Sequence, residues 1–99
     1  MLRVDVSIEA EEDIDEITDY TARTWGWRQT DQYLAKLEDC FGLLARNPSA
    51  GRRCESIRPG LHRFEIGKHV VFYIPDPSEV LIVRVLHQQM LPSRSYFEQ

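Results

Sequence analysis

Three apolar runs in the second half of the chain constrain its fold more than any other feature. They are residues 57–64, 69–73 and 82–87. β-branched and aromatic side chains recur in all three, and such side chains favour strands. Gly67 and Lys68 separate the first two runs, and Gly in the first position of a two-residue loop suits a type II′ hairpin turn. Residues 75–78, Pro-Asp-Pro-Ser, end the second run with another turn. The pattern predicts a three-stranded antiparallel meander whose nearly all-apolar middle strand is covered on both faces or lies at the centre of a sheet.

The N-terminal residues predict a further strand and the start of a helix. Residues 2–8 alternate apolar and polar side chains, which indicates a half-buried strand. Its even positions are expected to face the core: Leu2, Val4, Val6 and Ile8. The helix is expected to begin at about Glu9, with Ser7 as a candidate N-cap. Acidic side chains near its start favour the positive end of the helix dipole, and we interpret them as a solvated face rather than a metal site. They are Glu9, Glu11, Glu12 and Asp13.

Two helices with apolar stripes are predicted to cover the sheet. The stripe of the first consists of Ala10, Ile14, Ile17, Thr21 and Trp25. Gly26 is predicted to end this helix as a C-cap, with residues 27–28 as an elbow. The second helix is expected over residues 29–46, because Asn47-Pro48 then stops it. Its stripe consists of Tyr33, Leu34, Leu37, Phe41, Leu44 and Ala45. Trp25 is interpreted as an anchor in the core between helices and sheet.

The order of these elements predicts an α+β fold in a single domain over residues 1–99. An N-terminal strand is followed by an antiparallel two-helix hairpin, which is expected to pack on a mainly antiparallel sheet of about four strands. Residues 48–59 are expected to form a basic, turn-rich loop that leads into the meander.

Charge is divided unevenly along the chain, although its formal net charge is only -4. Residues 1–45 hold four basic and eleven acidic side chains, whereas residues 46–68 hold six basic and two acidic ones. We interpret this division as solvated surface. The basic residues do not alternate with aromatic ones as in a nucleic-acid-binding stripe, so no direct contact with nucleic acid is expected.

Composition limits the compartment and the chemistry. No apolar run approaches the roughly 20 residues of a membrane-spanning helix, and residues 1–5 lack a secretory apolar region. We therefore expect a cytoplasmic protein without membrane contact, in which Cys40 and Cys54 are free thiols. The sequence contains no nucleotide-binding, zinc-protease or hydrolase-elbow motif. No nearby carboxylate or thiol completes a set of metal ligands with His62, His69 or His87, so we expect neither a metal nor a cofactor.

Arg84 is the least expected side chain of the third run. It interrupts an otherwise apolar strand and, by alternation, shares a face with Val80, Ile82 and Leu86. A charge in that position needs a partner. Either an internal carboxylate or a second protein would provide one, and the sequence leaves both alternatives open. Arg63 and His87 are expected to lie close to Arg84, because antiparallel pairing brings distant positions together.

The ordered set of these features resembles the ParE-type toxins of the RelE/ParE superfamily of bacterial toxin–antitoxin modules. The resemblance extends from about Ile8 to Met90 and agrees with the fold predicted above. The matching positions in the two helices are Ala10, Asp13, Ile14, Ile17, Tyr20, Thr21, Trp25, Gly26, Tyr33, Leu37 and Phe41. Asn47-Pro48, Gly51-Arg52, residues 57–61, 69–73 and 82–87, and Met90 follow in order.

The resemblance implies a toxin that a ParD-like antitoxin holds inactive and that inhibits DNA gyrase, and thereby replication, by protein–protein binding. The other branch of the superfamily cleaves messenger RNA on the ribosome with a cationic cluster and usually a tyrosine near the C-terminus. Here the corresponding strand positions hold Glu65, Val70 and Gln88, and Tyr96 stands without a cationic clamp. The resemblance therefore implies a non-enzymatic toxin without catalytic residues, with a ribosome-dependent endoribonuclease as the alternative.

The chain also departs from the ParE pattern. Ile74 stands where arginine is common, and Lys68 where small or imidazole side chains are common. The tail at 91–95 differs from the usual short polar ending, so a detoxified relative that keeps only antitoxin binding is a second alternative. We expect antitoxin or target to bind through Arg52, Arg58, Arg63, Arg84 and His87. The antitoxin segment is expected in a groove between hairpin and sheet and along an open edge strand.

Overall fold

The computed structural model describes residues 1–90 and residue 97. Two helices pack on a five-stranded sheet, which confirms the predicted α+β class. The elements are β1 (Arg3–Val6), α1 (Ile8–Trp25), α2 (Trp27–Arg46), β2 (Arg52–Arg53), β3 (His62–Ile66), β4 (His69–Pro75) and β5 (Glu79–His87). The strand order is β1-β5-β4-β3-β2, and all pairs are antiparallel except β1 with β5, which is parallel. The two-residue edge strand β2 lies in the segment that the sequence predicted to be loop.

β4 is the central strand of the sheet and is covered on both faces, as predicted. Val71 and Tyr73 belong to the core beneath the helices. Val70 and Phe72 belong to a second apolar cluster on the opposite face, with Leu61. All four β4 side chains are at most 3% exposed. The alternation of strand side chains therefore fills a core on each side of the sheet.

The start of α1 is capped as predicted. The Ser7 hydroxyl accepts a hydrogen bond from the Ala10 N–H at 3.0 Å, which satisfies one of the amides that a helix leaves unpaired at its N-terminus. The prediction that Ile8 faces the core is wrong, because Ile8 is the first helical residue and is 72% exposed. The strand alternation stops at Val6, and from there a period of 3.6 residues decides which side chains are buried.

The predicted stripe of α1 is buried only in its first half. Ala10, Ile14 and Ile17 pack in the core, as predicted. Trp25 is 59% exposed, so its interpretation as a core anchor is wrong. The last turns of α1 lie beside an open groove rather than on the sheet, and helical periodicity alone does not show where the supporting sheet ends.

A single residue, Gly26, connects the two helices. Its φ of 87° lies in the region that glycine adopts without steric cost. Its N–H donates to the Ala22 carbonyl at 3.1 Å, which confirms the predicted C-cap. Its carbonyl accepts from the Thr30 N–H at 3.2 Å and the Thr30 hydroxyl at 2.9 Å. The predicted elbow at residues 27–28 is wrong, because α2 already begins at Trp27.

The stripe of α2 packs against the core as predicted. Leu37, Leu44 and Ala45 are buried, and Tyr33, Leu34 and Phe41 are partly buried against them. Cys40 and Cys54 are free thiols, as expected, and both are buried. Burial raises the pKa of Cys40 to about 11, so this thiol stays protonated at neutral pH. Within residues 1–90, neither helix is long and apolar enough to cross a membrane.

A bulge in β5 changes the face on which its later residues lie. Phe72 of β4 pairs with Arg84, but the next residue, Tyr73, pairs with Ile82, so Val83 is extra. Ile82 therefore packs beneath the helices, whereas Leu86 joins the opposite cluster. The prediction that Arg84 shares one face with both residues is wrong, because simple alternation does not allow for the inserted residue.

Candidate partner-binding groove

An open groove of about 1050 Å³ lies between the hairpin and the sheet and runs along most of α1. Residues of α1 and α2 line it, together with the β3–β4 turn, the end of β5 and the residues after it. Three large apolar side chains in this lining are exposed to solvent: Tyr20, Trp25 and Met90. Large apolar groups gathered in a concave surface are typical of a protein-binding site.

An ion pair between Asp13 and Arg84 joins α1 to β5 at the base of the groove. Arg84 donates from Nε to Oδ2 of Asp13 at 2.8 Å and from Nη2 to Oδ1 at 2.8 Å, so the pair is bidentate. The Val85 N–H donates to the same Oδ2 at 2.9 Å. The Asp13 side chain is only 9% exposed. Of the two partners that the sequence left open for Arg84, the structure contains the internal carboxylate.

Sequence reasoning missed Asp13 because it counted this residue with the solvated acidic face. A signal was present. Asp13 follows the buried Ala10 by three positions and precedes the buried Ile17 by four, so it lies on the inner stripe of the helix. An acidic residue on an inner stripe, together with an arginine in an apolar strand, predicts a buried ion pair.

Tyr33 joins α2 to the β3–β4 turn on the other side of the groove. Its hydroxyl donates to the Ile66 carbonyl at 3.1 Å, and the same oxygen lies 2.5 Å from Nδ1 of His69. His69 in turn contacts His87 edge-on, with ring centroids 5.4 Å apart. Burial, and secondarily the neighbouring His87, lower the pKa of His69 to about 4. His69 is therefore a neutral hydrogen-bonding group at physiological pH.

His87 is one of the two predicted site residues that lie in the groove; the other is Arg84. Its Nδ1 accepts a hydrogen bond from the Gln89 N–H at 3.1 Å, which fixes the ring at the end of β5. Among the residues that the structure describes, no group of three His, Cys, Asp or Glu side chains is placed to hold a metal ion.

Arg52 and Arg63 lie away from the groove, on the β2–β3 edge of the sheet. They are cross-strand partners, and both form ion pairs with Glu65. The Arg63 guanidinium also lies over the Phe72 ring, 5.6 Å from its centroid, on the face opposite the helices. Glu65 thus compensates part of the positive charge that the sequence suggested for this region.

Arg58 is the fifth predicted site residue and lies in the connection between β2 and β3. Its Nη1 donates to the Phe97 carbonyl at 3.4 Å. The Phe97 ring packs on Phe72 at a centroid distance of 5.0 Å and completes the cluster opposite the helices. The expectations for residues 91–95 and for Tyr96 lie outside the described residues. The five predicted positions thus form two groups on different sides of the sheet.

The chain matches the family described as "ParE toxin of type II toxin-antitoxin system, parDE" over residues 4–92. The chain belongs to the ParE toxin family. Toxin ParE1 of Mycobacterium tuberculosis is 40% identical over 82 residues, which cover 82% of this chain and 84% of that protein. The chain is therefore a toxin of a type II toxin–antitoxin system, as the resemblance implied.

Solved structures share the fold of this ParE family member. One belongs to a chromosomal ParDE toxin–antitoxin system of P. aeruginosa, with a TM-score of 0.73 at 21% identity over 88% of this chain and 96% of that chain. Another comes from the toxin–antitoxin complex RelBE2 of Mycobacterium tuberculosis, with a TM-score of 0.62 at 25% identity over 87% and 96%. At 21% identity, the similarity to the P. aeruginosa structure shows a shared fold and nothing further.

Several groove residues of this ParE family member were not predicted as site residues. They include Tyr20 and Trp25 of α1, Lys36 of α2 and Met90 after β5. Their common property is that all four line the groove although they come from three different parts of the chain. A sequence signal for Tyr20 and Trp25 is their size, because two large aromatic side chains near a helix end either fill a core or form an exposed binding surface.

Proposed function

We propose that a ParD-like antitoxin holds this toxin inactive by inserting a segment into the groove, and that the free toxin inhibits DNA gyrase through protein–protein contacts. The observation that carries the proposal is the groove itself, in a chain of the ParE toxin family. Its exposed Tyr20, Trp25 and Met90 offer apolar area to a partner, and aromatic anchors contribute much of the affinity in protein interfaces.

The comparisons support an antitoxin as the partner. Both solved structures reported above are described as parts of toxin–antitoxin systems, one of them ParDE and the other RelBE2. The family description names parDE as well. A ParD-like antitoxin therefore fits the family better than any other class of partner.

The ion pairs support binding rather than RNA cleavage. Phosphoryl transfer needs cations that are available to a developing negative charge. Here Arg84 is engaged by Asp13, and Arg52 and Arg63 share Glu65. Val70, at a position where the nuclease branch tends to carry a cation, is buried in the cluster opposite the helices. The likeness to a RelBE2 structure keeps a ribosome-dependent endoribonuclease as the second candidate.

The first experiment expresses the chain from an inducible promoter, with and without the small open reading frame that adjoins its gene. We expect growth arrest with filamentation when the toxin is made alone, and normal growth when both are made. Purified toxin should inhibit DNA supercoiling by purified gyrase, and an equimolar amount of purified antitoxin should restore it. Full supercoiling activity with a saturating amount of folded toxin would reject gyrase as the target.

A second experiment separates the alternatives. Primer extension on messages from induced cells detects new 5′ ends if the toxin cleaves RNA on the ribosome. Such ends, lost in Arg63→Ala and retained in Arg53→Ala, would replace the proposal by the nuclease function, because they would mean that Arg63 acts on RNA despite its ion pair with Glu65. Arg53 is the control, since it lies on the adjoining strand and forms no ion pair within residues 1–90. A chain that binds the antitoxin but arrests neither growth nor gyrase would be the detoxified relative.

A further inference from the structure

The walls of the groove carry opposite charges. On α1, Glu9, Glu12 and Glu16 follow one another at spacings of three and four residues, so they form one row along the helix. We name them the acidic row. All three are exposed, and none forms an ion pair with another residue of the described chain. Within the described part of the chain, no partner therefore compensates the acidic row.

Two lysines line the groove on the side away from the acidic row. Lys36 belongs to α2, and Lys68 belongs to the β3–β4 turn. α1 is joined to β5 through Asp13, whereas α2 is joined to the β3–β4 turn through Tyr33, so the two helices lie over different strands. The lysines form no ion pair within residues 1–90 either. The groove is thus acidic along the α1 side and basic along the α2 side.

The ion pair at the base of the groove does not alter the distribution of charge between its two walls. Asp13 and Arg84 lie between the two walls, but they form a bidentate pair with each other. Their opposite charges compensate, so the pair attracts neither sign strongly. The apolar contacts along the groove come from Ile17, Tyr20, Trp25 and Met90. A segment that enters the groove therefore meets an apolar surface with a negative margin on one side and a positive margin on the other.

We propose that the antitoxin segment in the groove is amphipathic, with lysine or arginine side chains along the edge that contacts the acidic row and aspartate or glutamate facing Lys36 and Lys68. This inference rests on the proposed antitoxin function and adds the chemistry of the segment and its direction in the groove. Opposite charges at the margins of an interface favour one orientation and disfavour the reverse, because the reversed segment would place like charges together.

The inference also changes what the sequence suggested. Four of the five predicted site residues are arginines, and such a site would favour an acidic partner segment. In the structure, Arg84 has an internal partner, and Arg52 and Arg63 lie outside the groove beside Glu65. The uncompensated charge that borders α1 is negative, so the matching side of the antitoxin segment is basic.

The test compares two pairs of charge reversals on the same helix. The groove pair, Glu12→Lys with Glu16→Lys, reverses the charge at two positions of the acidic row. The control pair, Glu11→Lys with Asp15→Lys, changes the net charge by the same amount at two exposed positions of α1 that do not line the groove. The probe is the purified product of the open reading frame next to the gene, titrated calorimetrically into each toxin variant. Circular dichroism confirms that every variant is folded.

We expect the groove pair to raise the Kd at least tenfold at about 50 mM NaCl, and to raise it less than about threefold at about 500 mM NaCl, because salt screens exposed charges. The control pair should change the Kd less than about twofold at either salt concentration. Reversal of one basic residue in the antitoxin segment should restore much of the affinity of the groove pair. That recovery would identify a direct contact.

Several results would overturn the inference. An unchanged or lower Kd for the groove pair would mean that the antitoxin does not present basic residues to α1. An equal increase of the Kd in both pairs would mean that the net charge of the toxin, and not charge in the groove, determines the loss of affinity. In both cases the wild-type toxin still binds the antitoxin, so the proposed function stands. A wild-type toxin that does not bind the antitoxin at all would overturn the function and the inference together.

Discussion

Asp13 accepts three hydrogen bonds with its two carboxylate oxygens, two from Arg84 and one from the Val85 amide. This one side chain thereby binds both a partly buried guanidinium and a backbone N–H of β5. Such a pair is expensive to break from one side, because the remaining charge stays buried without a partner. At the scale of single residues, this pair connects α1 to the sheet more specifically than apolar packing does.

The first prediction concerns this pair. Asp13→Ala and Arg84→Ala are each expected to lower the free energy of unfolding by about 2–4 kcal/mol, somewhat below the fully buried range because Arg84 is 19% exposed. The double variant should lose at least about 1 kcal/mol less than the sum of the two single losses. Urea unfolding of all four proteins measures this coupling. Purely additive losses would contradict a direct energetic link.

Arg84→Ala also separates stability from recognition. Because Arg84 lines the groove as well as pairing with Asp13, its role in antitoxin binding stays a prediction. A contact role predicts at least tenfold weaker binding, about 1.4 kcal/mol, by the fraction of the variant that remains folded. A purely structural role predicts an unchanged Kd with a lower melting temperature. Calorimetric titration beside thermal melts distinguishes the two results.

The second prediction follows from His69. Its pKa is lowered from the ordinary 6.5 to about 4 by burial, so between these values the unfolded chain binds more protons than the folded one. The free energy of unfolding should therefore fall as the pH drops from about 6.5 to about 4. Allowing for partial exposure of the ring, we expect a loss of about 1–2 kcal/mol from this residue.

NMR titration of the His69 imidazole should give a midpoint near 4. His69→Gln should flatten the pH dependence of the unfolding free energy in the same window. If the wild-type and variant proteins show equal slopes, His69 is not responsible for the acid sensitivity. Tyr33 and His87 are the polar groups in contact with the ring, so the titration also reports on the α2 side of the groove.

At the scale of elements, the edge strand β2 depends on one close approach. A Cβ at Gly51 would clash with the Arg63 carbonyl oxygen and lie 2.6 Å from the Tyr73 hydroxyl. That hydroxyl accepts from the Gly51 N–H at 2.9 Å and donates to the Pro48 carbonyl at 2.8 Å. The buried Tyr73 thus holds the chain where it enters β2, and only glycine leaves room for it.

The third prediction compares the same substitution at two glycines. Gly51→Ala should lower the free energy of unfolding by about 1–3 kcal/mol, because backbone atoms have to move. Gly42→Ala, within α2, should raise it by about 0.5–1 kcal/mol, because the added methyl meets only the flexible Arg46 side chain and alanine favours the helix. Denaturant unfolding measures both. If Gly51→Ala leaves the free energy of unfolding unchanged, the close contact with Tyr73 does not hold β2 in place.

Elements whose apolar side chains recur at regular spacing could be predicted from the sequence. Positions where that spacing is interrupted could not. The α2 stripe, the Ser7 cap and the nearly all-apolar β4 follow from local patterns that tertiary contacts reinforce. The β5 bulge depends on an extra residue that has no signature of its own in an apolar run. The exposure of Trp25 depends on where the sheet ends, which is a property of the packing and not of α1.

At the scale of the whole molecule, the candidate site could be predicted only in part. Arg84 and His87 do line the groove, because the ends of antiparallel strands bring them there. Arg52, Arg58 and Arg63 lie elsewhere, because sequence charge does not reveal which side of a sheet a residue occupies. The groove itself arises from two helices and a sheet that diverge, and no single segment encodes that divergence.

The last prediction uses two tryptophans that differ chiefly in their place on the molecule. Trp25 and Trp27 are 59% and 67% exposed and stand on either side of Gly26, but only Trp25 lines the groove. Truncation of either should leave the melting temperature nearly unchanged, because neither side chain belongs to the core. Trp25→Ala should weaken antitoxin binding by at least about tenfold, as expected for an aromatic anchor, and Trp27→Ala by less than about twofold.

The same two variants show whether the toxin meets its antitoxin and its target through one surface or two. If the groove serves the antitoxin alone, Trp25→Ala should arrest growth and inhibit gyrase as strongly as the wild type, and a larger amount of antitoxin should be needed to neutralise it. If toxicity falls together with antitoxin affinity, both partners compete for the groove, and neutralisation is direct occlusion of the target-binding surface. If Trp27→Ala weakens antitoxin binding as much as Trp25→Ala, exposed aromatic area in general would account for binding, and the groove would lose its special role. Calorimetric titration of the antitoxin, with supercoiling assays on the same preparations, distinguishes these outcomes.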